Sequence, residues 1–505
     1  MRQARNPQMT LGEIDIASIR FNEKCRDDIP RVLRGLQYIY INEPVREEIF
    51  GLLEAHIQPT VDKTTGRPGM NDWTILVMGV LRLGMNWDYD ALHEQVNEHG
   101  TIRQMLGHVD DFGKHEYQLQ TIKDNVKLFK PELLDKINEV VVKAGHALVK
   151  KKEDAPLKGR VDSFVVETNV HYPTDTNLLF DAMRTVIRLI AAVCVICGLS
   201  DWRQHAYNIR QVRRLHRKTQ KKKGAGKQQE APMTPRQAKQ EADRLKAFEE
   251  YLTVCQGYLD KARFTLGKLE APHLLDVQVK ALQATIEEFM RHADRQMDQI
   301  RRRVLQGEVI PHAEKVFSLF EPHTEWIVKG KVGVPVELGV RVCIVEDQHQ
   351  FILNHHVMEK QTDDQIAVSI VEKTKQSFPL LSGCSFDKGF HSPDNQMRLS
   401  ELLDVVALPR KGKLSQPAQA IESSEEFIEA RGKHSAVESA INALEVHGLD
   451  ICPDHGIHGF KRYVSLAVLA RNIHRIGCIL NQRDKKRMAR KNKKLASTSG
   501  LELLI

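Results

Sequence analysis

Three acidic residues stand where acids are out of place. Asp162 lies inside GRVDSFVVETNV, residues 159–170, a β-branched stretch that reads as a strand, where aspartate is disfavoured. Asp387 ends the apolar run of LSGCSFDKGFHSP, residues 381–393. Glu438 sits beside a helical stripe of Phe427, Ala430, His434, Val437, Ile441 and Leu444. A charge held against an apolar element is costly unless it is paired. Buried carboxylates that converge, as these three are expected to do, also raise one another's pKa unless a cation compensates. The natural cation is Mg²⁺, a hard ion held by carboxylates together with substrate phosphate. Two such ions about 4 Å apart activate an attacking oxygen and stabilise the leaving one in an in-line phosphoryl displacement. A strand end fixes the Asp387 ligand firmly, and Gly389 lets backbone or substrate come close. The plainer role for an aspartate after a strand is a turn or a cap. Ser392 is the better cap of the helix that follows, so Asp387 is free for other work.

Other constellations have simpler explanations. Cys194 and Cys197 form a CxxC inside an apolar helix with no second pair nearby, which reads as two buried thiols rather than zinc or redox chemistry. Cys452, His455 and His458 in CPDHGIH have ligand spacing but no clear fourth ligand. Asp175 reads as a helix cap, and Asp363 and Asp364 as the acids of a helix start. His391 is either a phosphate contact or a solvated side chain.

The elements that must position the three acids form an interrupted α/β pattern. Residues 1–150 read as helical, and GRPGMNDWTILVMGVLRLGMNWDYDALHEQV gives two helices about a turn at Asn86 to Asp90, compatible with a helix-turn-helix. After the strand at 159–170 the chain is helical from about 181 to 310. There Leu245, Phe248, Leu252, Cys255 and Leu259, then Leu282, Ile286, Phe289, Ala293, Met297, Ile300 and Val304, predict an antiparallel helical hairpin of coiled-coil type. Strands resume at 326–358. Thr362 and Gln365 open a helix as a capping box, and Ser392 with Pro393 opens another. This predicts an α/β domain with a large insertion after its first strand. The segments are 1–150, a helical N-terminal domain that the helix-turn-helix reading would make DNA-binding; 151–180 and 315–480, the two parts of the α/β domain; 181–314, the helical insertion; and 481–505, a basic tail.

At 505 residues the chain has length for about two to four domains. With 28% charged residues and no apolar run long enough to span a bilayer, a membrane class is excluded. The first residues have no signal-peptide core, and the eight scattered cysteines read as reduced thiols, so a cytoplasmic protein is expected. The net charge of +8 is concentrated. IRQVRRLHRKTQKKKGAGK, 209–227, has nine basic residues and no acid, and RDKKRMARKNKK, 483–494, has eight and one aspartate. Such blocks are either solvated linkers or contacts for a polyanion, most simply DNA.

VDSFVVETNVHYPTDTNLLFDAMR, SFDKGFHSPDN and RGKHSAVESAINALEVHGLDICPDHGIHGFKRYVSLAVLARNI together resemble bacterial insertion-sequence transposases of the DDE type, closest to the ISNCY group. The resemblance runs over most of the chain. It implies an RNase H-like (retroviral-integrase) α/β catalytic domain with Asp162, Asp387 and Glu438 as its catalytic, metal-holding acids. It also implies Mg²⁺, with Mn²⁺ as the alternative, and cleavage of transposon DNA ends followed by strand transfer into target DNA. The implied partners are DNA and further copies of the chain, as a homodimer or higher oligomer at the nucleoid, with no membrane. Arg213, Arg214, Arg217, Lys218, Lys388, Arg431 and Lys433 are the expected DNA contacts. Some related families carry Tyr seven residues before the third acid and Lys seven after; here Arg431 and Glu445 stand there. Two alternatives remain at this stage: a transposase-derived DNA binder without cleavage, and a metal-dependent nuclease on the same fold.

Overall fold

The structure, a computed structural model, describes residues 4, 5, 9, 13–22, 24–57, 69–108, 115–150, 152, 154–221, 234–270, 273, 276–328, 335–412 and 415–499. The chain divides into two compact units, Met1–Asn169 with Glu325–Ile505, and Val170–Thr324. The second unit contains the whole of the expected insertion, 181–314.

The first unit opens with seven helices: α1 (Ile29–Ile41), α2 (Glu43–His56), α3 (Asp72–Gly84), α4 (Tyr89–Glu98), α5 (Gly100–Met105), α6 (Leu119–Val126) and α7 (Pro131–Val149). Every residue of α3 is buried, as its apolar sequence DWTILVMGVLRLG demands. The turn after it follows from Asn86, which adopts φ 52°, and from Asp88, whose side chain accepts from Ala91 N at 2.7 Å to start α4. A wholly buried α3 offers no face to DNA. It is a core helix, and a helix-turn-helix reading leaves contact with DNA to the helix after the turn, α4.

The sheet is mixed. Its central strand is β1 (Leu157–Thr168). On one side β1 pairs antiparallel with β3 (Val336–Asp347), from Gly159 opposite Asp347 to Glu167 opposite Gly339. The far edge of β3 carries two antiparallel strands, β2 (Glu325–Val328) and β4 (Ile352–Met358). On its other side β1 pairs parallel with β5 (Leu381–Phe386), and β6 (Val405–Ala407) lies parallel beyond β5. Further along the same edge of β1, Glu167 and Thr168 pair parallel with β7 (Ile451–Cys452). Helices fill the connections of this half. They are, within the second unit, α8 (Asp175–Ile196), α9 (His205–Lys221), α10 (Pro235–Leu266) and α11 (Val277–Ile300), then α12 (Asp363–Ser377), α13 (Pro393–Leu402), α14 (Gln416–Glu422), α15 (Glu425–His434), α16 (Ala436–Leu444) and α17 (Gly456–Ser499).

One apolar core joins the N-terminal helices to the sheet, from Val32, Leu76 and Ile137 to Val161, Ile344 and Phe386. Helix α17 carries much of it, running along α1, α3 and α7 and touching β4. Residues 1–150 therefore share their interior with the sheet, and the basic block at 483–494 continues α17 as helix.

In the second unit both predicted apolar repeats are buried, but they do not form a two-helix coiled coil. Helix α8 packs along α11 and also against α9 and α10, and α10 approaches α11 at few positions. The result is a four-helix bundle with α8 at its centre. The segment VIRLIAAVCVICGL, too short for a bilayer, supplies its Val186, Ile187, Ile190, Val193 and Cys194 to that core.

Candidate active site

Asp162 lies midway along β1, and the local pairing explains what faces it. Strand β5 follows β1 in parallel as far as Val161 opposite Phe386. One more step of the same register would bring Asp387 level with Asp162, on a neighbouring strand path about 4.8 Å away and on the same face. There β5 stops. Asp387 starts a single turn, Lys388–Phe390, with Phe390 N donating to Asp387 O at 3.2 Å. Phe390 is buried against Phe386, with ring centroids 5.8 Å apart, so the aromatic of DKGF anchors the turn. Ser392 then accepts from Asn395 N at 3.1 Å and starts α13, as expected.

Glu438 comes from the first turn of α16, which packs on β1 through the buried face of Val437, Ala440 and Leu444. The predicted continuous stripe is split at Ser435 into α15 and α16, and both halves keep their buried side. The expectation that all three acids are buried is corrected. Asp162 is half-buried, whereas Asp387 and Glu438 are exposed. Asp387 is exposed because its strand has just ended, and Glu438 because it borders the buried face of a surface helix.

The acids nevertheless act on one another. Burial pushes the Asp162 carboxyl up to about 6, and the charges of Asp387, Asp363 and Glu438 push the same way, against a backbone N–H donated by Ser163 at 2.8 Å. Asp363 is the member that sequence reasoning missed. It is the first residue of α12, and its Oδ1 accepts from Ser163 Oγ at 2.6 Å. A methyl group on Gly389 would stand 2.9 Å from its Oδ2. Its sequence signal is no different from that of any acid in a first helical turn. Among the described residues no group of three or more His, Cys, Asp or Glu side chains is gathered closely enough to hold a metal ion.

Cations surround the cluster. Arg431 donates from Nη1 to Phe386 O at 3.0 Å, and its Nη2 stands 3.8 Å from Asp387 Oδ1. Lys388 and Lys433 are exposed, Lys433 paired with Glu429. Lys411, not anticipated, donates to Gly389 O at 2.9 Å. His434 meets Ser385 Oγ through Nδ1 at 3.0 Å, and burial, helped by Arg431, pulls its imidazole down to about 4. It is neutral at pH 7 and holds α15 to β5. A cavity of about 270 Å³ lies along the same strands, lined by Lys158, Arg160, Ser385 and Lys433 among others. In the second unit, the expected DNA contacts Arg213, Arg214, Arg217 and Lys218 are exposed on α9.

The remaining constellations have structural partners. Asp454 of CPDHGIH pairs with buried Arg82 at 2.9 Å and with Arg462 at 2.9 Å, tying the loop to α3. Asp175 is not the cap of α8. Thr174 accepts from Asn177 N, and Asp175 instead pairs with Arg303 at 2.6 Å. No helix of the described residues is long and apolar enough to cross a membrane.

Comparison with known proteins finds no matching family model, no similar curated protein and no similar solved structure.

Proposed function

We propose that the chain is a DDE-type transposase, cutting transposon ends and joining them to target DNA, on an RNase H-like domain. The observation that carries this reading is the parallel register of β1 and β5. It ends one residue short of Asp162 and Asp387, so that its continuation would bring the two acids side by side at an open strand end. Their electrostatic coupling to Glu438 supports the third assignment. A central strand with antiparallel neighbours on one edge and parallel ones on the other supports the RNase H-like assignment.

The residues suit a divalent ion. The donors are all hard oxygens, and Asp162 carries an excess of neighbouring negative charge that a cation relieves. Mg²⁺ needs only one or two carboxylates when substrate phosphate completes its shell, so a three-acid cage is not required beforehand. Asp162, Asp387 and Glu438 would hold Mg²⁺ or Mn²⁺, which would activate the attacking oxygen and neutralise charge on the phosphate. The protein's own part is orientation. Arg431 braces the Asp387 backbone through Phe386 O, and Lys388, Arg431 and Lys433 supply positive charge for the flanking phosphates. In nicking, a water oxygen bonds to phosphorus, the bond from phosphorus to the 3′-oxygen breaks, and that oxygen leaves with a proton. In joining, the freed 3′-hydroxyl oxygen bonds to a target phosphorus, the bond from that phosphorus to its own 3′-oxygen breaks, and that oxygen leaves with the proton the hydroxyl gives up. The proposed partners are DNA and further copies of the chain, in the bacterial cytoplasm.

A second reading, a DNA binder without cleavage, is favoured by one observation: among the described residues no three-acid group is close enough to hold an ion. Nicking of a duplex carrying the element's own flanking sequence, with Mg²⁺ and with EDTA, separates the two. Metal-dependent nicking by the natural chain is expected, and its loss in Asp387→Asn and Glu438→Gln while binding persists. Binding with no nicking by the natural chain would leave only the second reading.

A further inference from the structure

Helix α9 of the second unit turns Asn208, Val212, Leu215, His216 and Thr219 into the bundle. Arg210, Arg213, Arg214, Arg217, Lys218 and Lys221 line a groove of about 850 Å³ beside α10. Steps of three and one residue put these six on one helical face, a stripe about 16 Å long at roughly 1.5 Å per residue. Elsewhere on this unit several cations are neutralised: Arg263 by Asp294 at 2.7 Å, Arg302 by Glu314 at 2.6 Å, Arg303 by Asp175. In the groove the acid is Glu250, which pairs with Lys218 at 2.5 Å, and Arg213 stands 5.6 Å from the Phe180 ring centre. So many like charges along one face repel unless a polyanion covers them.

We propose that this groove holds the phosphate backbone of duplex DNA along the axis of α9, gripping it without reading its bases. The inference deepens the transposase reading and rests on it for the choice of DNA. Duplex DNA carries a phosphate about every 1.7 Å of axis over its two strands, so a stripe about 16 Å long lies beside several and its exposed cations face those on the near side. The groove lining has no Asn or Gln, the side chains that read adenine edges, and a row of cations suits phosphates first; Arg also reads guanine, which a comparison of two sequences detects.

The test measures binding of the full chain in EDTA, where cleavage is silent, to two duplexes of equal length and unrelated sequence. The triple substitution Arg213→Gln, Arg214→Gln, Arg217→Gln is expected to weaken both about tenfold or more near physiological salt. It should also reduce the slope of log affinity against log salt by about 2.7, or 0.9 per phosphate contact. Glu250→Gln, which frees Lys218, is expected to tighten both a few-fold, and it guards against a triple variant that merely misfolds. Unchanged affinity and slope in both variants would overturn the proposal. A loss confined to one sequence would replace it by base reading, and equal competition by single-stranded RNA would remove the duplex. Failure to nick in Mg²⁺ with these binding effects intact would sink the transposase reading and leave the groove standing.

Discussion

Asp162 shows how a single carboxylate can be set against the fold that carries it. Its folded-state pKa of about 6 lies above the ordinary aspartate value, with burial as the first cause and its acidic neighbours adding to it. The folded state therefore binds a proton that the unfolded state has lost between about pH 4 and 6. The sign follows: charged Asp162 costs stability at neutral pH, and that cost is relieved progressively as pH falls from about 6 to about 4. In EDTA, Asp162→Asn should raise Tm at pH 7.5, and the gain should shrink at pH 4.5, as thermal melts of the two proteins would show. A variant less stable at both values would mean that the Ser163 hydrogen bond outweighs the charge. At this scale the sequence was partly readable. Asp162 and Asp387 stand out because acids interrupt apolar strands, whereas Asp363 sits where an acid is ordinary, and only the fold brings Ser163 and Gly389 against it.

Elements were easier to recognise than their partners. The β-branched runs, the Ser392 cap and the Thr362–Gln365 box all appear where the residues place them. What periodicity could not assign was which helix covers which. The repeats of α10 and α11 suit a two-stranded coil and a four-helix bundle equally, because both bury one stripe per helix. The deciding partner, α8, is apolar on most sides, and its sequence reads first as a stretch too short for a membrane. Ile190 of α8 is fully buried in the bundle. Ile190→Ala should destabilise the second unit by about 2–5 kcal/mol, read from its urea midpoint. In a free-standing hairpin of α10 and α11 the same change would cost almost nothing, so a shift under about 0.5 kcal/mol would reinstate the coiled coil.

At the scale of the molecule, the first 150 residues cannot be a separate module in the sense their helical composition suggested, because α17 returns from the far end of the chain to pack among them. Glycine makes that return possible. A Cβ on Gly35 would stand 2.1 Å from Ile473 O, and one on Gly477 only 1.9 Å from Arg31 O, so α1 and α17 cross backbone to backbone. No sequence pattern distinguishes these glycines from Gly257 of α10, where a Cβ would meet nothing within 4 Å. The same substitution should therefore act with opposite sign in the two units. Gly477→Ala must push two helices apart and should cost about 1–3 kcal/mol or more, with the loss felt by the whole first unit because its core is continuous. Gly257→Ala removes backbone freedom from the unfolded chain inside an open helical position and should add about 0.4–1 kcal/mol. Denaturant titration of the two variants reads both signs. If Gly477→Ala were neutral, α17 would not be the element that binds the N-terminal helices to the sheet, and the first 150 residues would regain their claim to be a domain of their own.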